Sequence, residues 1–334
     1  MRLSSILYAF LIAGIFGACR PDGWSTESDT SSTPGGTVLL DELPPVNSIT
    51  SIPVEMEWDF TSYEPDGSTE HLHEHFYGDG TGQVSLALDT IASGSGQPAP
   101  PDAGINLIHQ NRQIFLSLYR NISVTDNELA DTNYSWWQDL GSFSVAGMPC
   151  DRYVLDSVFG IGDAEILVDQ QTGLILSWKL FDPAGDPLME MDAAFVNYQP
   201  DFGSVVWAVP QVASQPYDPW TSDAIMGFEP LRLVYGGPGF NLDAQSMLLT
   251  NAQFPEINNL HLNMLTDGLR TVFVAQQEPP EWVPQSKVYR MSSLSHARSG
   301  GVSILEGLIS GNWVFCVGSI PVDDLVVLAS SLKK

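Results

Sequence analysis

Residues 54–60 alternate without a break: Val54, Met56, Trp58 and Phe60 fall on one side, and Glu55, Glu57 and Asp59 on the other. A period of two is the signature of a β-strand with one buried face, and it leaves no room for an amphipathic helix. Strand-like segments of this kind recur at residues 71–77, 83–91, 105–109, 113–119, 152–159, 164–169, 174–181 and 188–198. Turn signals separate several of them: Pro65-Asp66-Gly67, the Gly-Asp-Gly-Thr-Gly run at 78–82, Gln171-Thr172-Gly173 and Pro183-Ala184-Gly185. Short turns between alternating strands predict an antiparallel meander with one wet face.

A Pro-containing stretch, residues 200–219, marks a domain boundary. Beyond it, strands are expected at 231–235, 246–249, 261–266, 269–276, 287–292, 302–308 and 312–318. Pro321 opens a helix with Asp323 and Asp324 in its first turn and Lys333 and Lys334 at its end, the charge order that a helix dipole favours. At 334 residues the chain is long enough for two domains. The expected class is α+β, mostly antiparallel β, with a smaller second sheet and a carboxy-terminal helix.

Charge narrows the partners. Forty acidic against thirteen basic residues give a net charge of −27, which repels nucleic acid and anionic headgroups at long range. The acidity is spread thinly rather than gathered into a tail. Besides Cys19, the cysteines are Cys150 and Cys316. Both sit in or beside apolar strand-like segments, so a disulfide and two free buried thiols both remain open readings.

The amino terminus is a secretory signal. Met1-Arg2 supplies a positive start, residues 3–16 are almost wholly apolar, and Gly17-Ala18-Cys19 follows. The run Phe16-Gly17-Ala18-Cys19 resembles the lipobox of bacterial lipoproteins. That resemblance implies cleavage before Cys19 and lipid attachment to Cys19; ordinary signal cleavage is the other reading. Residues 1–18 are then the signal and 19–51 a lipid-anchored tether. The tether opens with a Ser-, Thr-, Gly-, Pro- and Asp-rich stretch at 20–36, and residues 38–43 form an apolar patch able to dock on the body. The protein would face the periplasm of the cell envelope. Arg20, rather than Asp, after the cysteine favours the outer membrane.

The order of later pieces carries a second resemblance. The hairpin at 54–76, Cys-Asp-Arg-Tyr-Val at 150–154, Ile-Leu-Val-Asp-Gln-Gln-Thr-Gly-Leu at 166–174, and the hairpin at 179–188 closing on 195–198 resemble the amino-terminal domain of the MucB/RseB family. Leu-Thr-Asp-Gly-Leu at 265–269 and Val-Gly-Ser-Ile-Pro at 317–321 are similar to turns in that family's second domain. The resemblance covers roughly residues 52–334. It implies a half-barrel over 52–205, like the lipoprotein carriers LolA and LolB, and a MucB/RseB-like carboxy-terminal domain over 220–334. It also implies the family's role as a periplasmic regulator of an envelope-stress sigma factor. Such a regulator binds a periplasmic segment of an anti-sigma-type membrane protein and responds to lipid or lipopolysaccharide.

No Gly-x-Ser-x-Gly, Walker loop or His-Glu-x-x-His motif is present, and no catalytic residue or cofactor is assigned. His71, His73 and His75 share one strand face but span about 13 Å, too far for one zinc ion. They read as a solvated or groove-lining face, with no metal assigned. The candidate ligand groove is the stripe of Val54, Met56, Trp58 and Phe60 with Trp178, Met189 and Met191 from later strands; Trp136-Trp137, just before a strand expected at Ser142, stands at its rim. Met and aromatic side chains suit an adaptable apolar surface, although a filled core uses the same residues. Two functions follow: a non-enzymatic, lipid-sensing regulator, or a lipid or lipoprotein carrier or assembly factor. An enzyme ranks below both.

Overall fold

A computed structural model of the chain describes residues 36–41, 44, 46–63, 67–93, 126–207, 214–248, 259–279, 295–299 and 302–334. The chain divides at residues 209/210 into two compact units. The first contains β1 (Thr37–Leu39), β2 (Pro53–Tyr63), β3 (Thr69–Asp79), β4 (Val84–Ser93), α1 (Asn127–Asn133), β5 (Tyr134–Val145), β6 (Met148–Ser157), β7 (Ala164–Asp169), β8 (Ile175–Phe181) and β9 (Pro187–Asn197). The strands form one open sheet in the order β1-β5-β6-β7-β8-β9-β2-β3-β4. All its pairings are antiparallel. The strip from β5 to β9 is a plain meander, and β2 returns to lie against β9, with Phe60 opposite Met191.

Local chemistry explains the turns. Ala146 and Gly147 both have positive φ, 50° and 77°, which a two-residue hairpin needs to match the strand twist. Asp79 accepts from the backbone N–H groups of Thr81 and Gln83 at 2.7 and 2.9 Å, closing the β3–β4 turn. Within that turn Gly80 has φ +77°, and a Cβ there would stand 2.7 Å from Pro53 Cδ; only glycine fits.

The alternation of 54–60 appears as written: every second side chain of β2 is buried. Four features differ from the sequence reading. β5 runs from Tyr134, whereas only its end near Ser142 was expected; a bulge between Asp139 and Phe143 breaks its alternation. α1 is short, and its start is set by Asp126, which accepts from the N–H of Leu129 at 3.0 Å. The end of the expected tether is part of the fold: β1 pairs with residues 137–139 of β5, and the Asn47 side chain donates to the carbonyl of Thr172. The expected wet face is polar over β2 and β3, but Leu167 and Ser177 are buried on it. The signal sequence, Cys19 and the hairpin expected at 105–119 lie outside the described residues.

The second unit contains β10 (Ser214–Pro216), α2 (Pro219–Met226), β11 (Arg232–Leu233), β12 (Asn241–Leu248), β13 (Leu260–Thr266), β14 (Thr271–Gln277), β15 (Ser295–Ser299), β16 (Val302–Ile309), β17 (Asn312–Gly318), α3 (Val322–Ser330) and β18 (Leu332–Lys333). Its sheet has the order β10-β12-β13-β14-β17-β16-β15. Leu325, Leu328 and Ala329 of α3 share a core with Val272, Val274, Leu305, Val314 and Cys316. The terminal lysines do not end the helix: Lys333 lies in β18, opposite Arg232. β10 belongs to this unit, so it begins before residue 220. The strand expected at 287–292 lies outside the described residues. The class is strand-rich α+β.

Cys150 lies in the first unit and Cys316 in the second; both are buried and free. Burial pushes each thiol up to about 12. Among the described residues no helix is long and apolar enough to cross a membrane.

Candidate functional site: the apolar face of the nine-stranded sheet

Sheet register brings the seven groove candidates onto one face. Phe60 stands between Leu72 of β3 and Met191 of β9. Met191 faces Trp178 of β8, and Trp178 faces Ile166 of β7. One row over, Met189 stands between Ser62 and Leu180. In the other direction Trp58 faces Glu74, and Met56 faces Phe76. Val54 ends the stripe opposite Gly78. Long-range pairing of β2 with β9 therefore joins residues more than a hundred positions apart.

All seven side chains are buried, from Val54, Met56 and Met191 at 0% exposure to Met189 at 7%. The face is covered rather than open. An apolar ligand reaches it only by displacing what covers it.

The face is not purely apolar. Glu74 is fully buried within it. Its Oε2 accepts the indole N–H of Trp58 at 2.6 Å, and Trp58 stacks on Phe76 with centroids 5.1 Å apart. Glu70, also buried, lies one row from Leu72. A buried carboxyl group is tolerated when it is hydrogen-bonded, paired or held neutral. Trp136 and Trp178 project from the same face, yet their buried indole N–H groups have no acceptor. Trp136 instead meets Tyr153 edge-on at 6.4 Å. Trp137 is on the opposite face, across from Leu39 of β1. Sequence reasoning missed Glu70 and Glu74, although the period-two pattern of β3 places both with Leu72 and Phe76.

The three histidines occupy the opposite face of β3, each against β2. His73 Nδ1 is 2.9 Å from Asp59 Oδ1, His75 Nε2 is 3.0 Å from Glu55 Oε1, and His71 Nδ1 is 3.0 Å from Thr61 Oγ1. Burial pushes Glu55 up, but hydrogen bonds from Tyr77, Asn197 and His75 outweigh it and leave its carboxyl below the usual range. No three His, Cys, Asp or Glu side chains among the described residues are placed to hold a metal ion.

The second unit buries polar groups of its own. His261 is 2% exposed and neither ring nitrogen has a hydrogen-bond partner; its ring meets Tyr217 edge-on at 4.4 Å. Burial holds the imidazole down at about 4. On the other face of the sheet, burial raises the Glu306 carboxyl to about 7.

No family model matches this chain, and no curated protein matches it. Among solved structures it is similar to MucB, at 16% identity and a TM-score of 0.47, over 85% of this chain and 93% of that one. It is also similar to MucB in the Pseudomonas aeruginosa MucA/MucB complex, at 17% identity and a TM-score of 0.46, over 83% and 91%. A domain of a putative outer membrane lipoprotein-sorting protein from Vibrio parahaemolyticus aligns with 44% of this chain and 86% of its own, at 11% identity and a TM-score of 0.18.

Proposed function

We propose that this chain is a non-enzymatic lipoprotein of the cell envelope that senses an acylated lipid on the apolar face of its first unit and binds a periplasmic segment of an anti-sigma-type membrane protein. The observation that carries the lipid half is the chemistry of that face. Met189, Met191, Phe60 and Trp178 form an apolar bed, and the indole N–H groups of Trp136 and Trp178 are spare donors within it. A buried donor without an acceptor is a cost that native folds rarely carry without reason. An acyl chain with an ester or amide carbonyl supplies both apolar contact and the missing acceptor. The protein-binding half rests on the motif order that resembles the MucB/RseB family; MucB itself has been solved in complex with MucA(peri).

The test is a pull-down of the full chain from membranes, with mass spectrometry of lipids and proteins. Copurified acyl lipid together with an anti-sigma-type protein supports the regulator. Copurified lipid without a protein partner favours the carrier or assembly factor. Recovery of neither removes the proposal.

A further inference from the structure

We propose that the β1–β5 edge of the first unit rests on the zwitterionic lipid surface to which the chain is tethered; the inference depends on the lipoprotein reading of Cys19. Among the described residues of this unit, seven large apolar side chains are exposed, and five of them, Val38, Leu39, Leu140, Val158 and Phe159, follow the length of β5. Val38 and Leu39 belong to β1, opposite Gln138 and Trp137. The Leu140 N–H donates to the carbonyl of Gly36, and the Val158 N–H to the carbonyl of Asn133, the residue before β5. The other two, Phe195 and Val206, lie elsewhere.

The pattern belongs to an edge, not to a face. Consecutive strand residues point to opposite sides, so Val38 and Leu39 put apolar groups on both sides of the outermost strand. Edge strands are commonly blunted by short length, charge or proline; Thr37-Val38-Leu39 is short but has neither charge nor proline. Such an edge calls for a cover. Its backbone N–H and C=O groups keep water in a headgroup layer, which the hydrocarbon core would deny them.

Continuity selects the lipid surface as that cover. The chain enters β1 through Gly36, seventeen residues after Cys19, a reach of at most about 60 Å. A tether of that length holds the edge at an effective concentration of about millimolar, so a modest interfacial affinity is enough. Charge selects the lipid. Asp139 and Glu165 are both held by Arg152, at 3.2 and 2.6 Å. Asp41 and Asp156 remain exposed near the edge, and the chain carries −27 overall, so an anionic surface is repelled.

The experiment uses the full lipidated chain in phosphatidylcholine vesicles, read by hydrogen exchange and mass spectrometry. The Leu39→Asp/Phe159→Asp variant is the comparison; both side chains are exposed, so it folds, and the anchor keeps it on the vesicle. The expected result is exchange at least tenfold slower in the unsubstituted chain over residues 36–40 and 138–142, independent of chain density on the vesicle. Adding phosphatidylglycerol shrinks the difference. Equal exchange in the two vesicle-bound chains overturns the proposal while leaving the anchor intact. Protection that grows with chain density assigns the edge to a second copy instead, which also overturns it. Failure of either chain to associate with vesicles rejects the lipoprotein reading and the proposal with it.

Discussion

Trp58 gives its indole N–H to Glu74 Oε2 at 2.6 Å, and both side chains are buried on the largely apolar face of the nine-stranded sheet. The two residues face each other across β2 and β3. The same indole stacks on Phe76, with ring centroids 5.1 Å apart.

Trp58→Phe keeps an aromatic ring but withdraws the donor from the buried Glu74 carboxyl. Leaving a buried polar group short of a hydrogen-bond partner costs roughly 1–3 kcal/mol. The expected outcome is a folded protein whose first unit unfolds at lower urea concentration, with the slope unchanged. Trp58→Glu sets a second carboxyl group against Glu74 in the core and is expected to unfold the unit, seen as loss of its β-sheet circular dichroism signal.

A half-buried carboxyl and a buried imidazole in the second unit give opposite pH dependences. Burial raises Glu306 from 4.5 to about 7, so the fold prefers its neutral form; that stability is present below about 4.5 and lost as pH rises towards 7. Burial lowers His261 from 6.5 to about 4, so the fold prefers neutral imidazole; that stability is present above about 6.5 and lost as pH falls towards 4. Each contributes on the order of 1.4 kcal/mol per pKa unit at most, and between pH 4.5 and 6.5 they offset. Glu306→Gln should therefore make stability rise with pH across this window, and His261→Phe should make it fall. Urea unfolding at stepped pH distinguishes the two slopes; parallel profiles in both variants would contradict the assignment.

Cys150 and Cys316 are free, buried and shifted up to about 12. The folded protein should leave both thiols unreacted with iodoacetamide at neutral pH, because the thiolate is the nucleophile. In denaturant without reductant both should be alkylated, as peptide mass spectrometry would record. Protection that persists until reductant is added would mean a disulfide.

The lipid anchor has its own test. Cys19→Ser removes the sulfur that the lipobox-like run at 16–19 presents. The variant should leave the membrane fraction or accumulate unprocessed; normal cleavage with full membrane retention would reject lipidation.

The alternation at 54–60 and the turn residues at 78–82 and 171–173 determined strands and hairpins by themselves, because period-two burial and positive-φ positions are local properties. The same locality made the buried side of β3 readable, Glu70 and Glu74 included, although the two acids were passed over. Which strands meet was not readable. Phe60 opposite Met191, and Trp178 between Met191 and Ile166, depend on β2 leaving its sequence neighbour β1 and pairing with β9. No local signal encodes that choice. Nor could composition tell a filled face from an open groove, since Met, Trp and Phe serve both; burial of all seven candidates follows from what packs over them. The same holds for β1, whose three residues are too few to declare a strand until the edge of β5 satisfies their backbone groups. The two cysteines were ambiguous for an equivalent reason: only tertiary structure places Cys150 and Cys316 in separate units, each in an apolar interior that disfavours the thiolate.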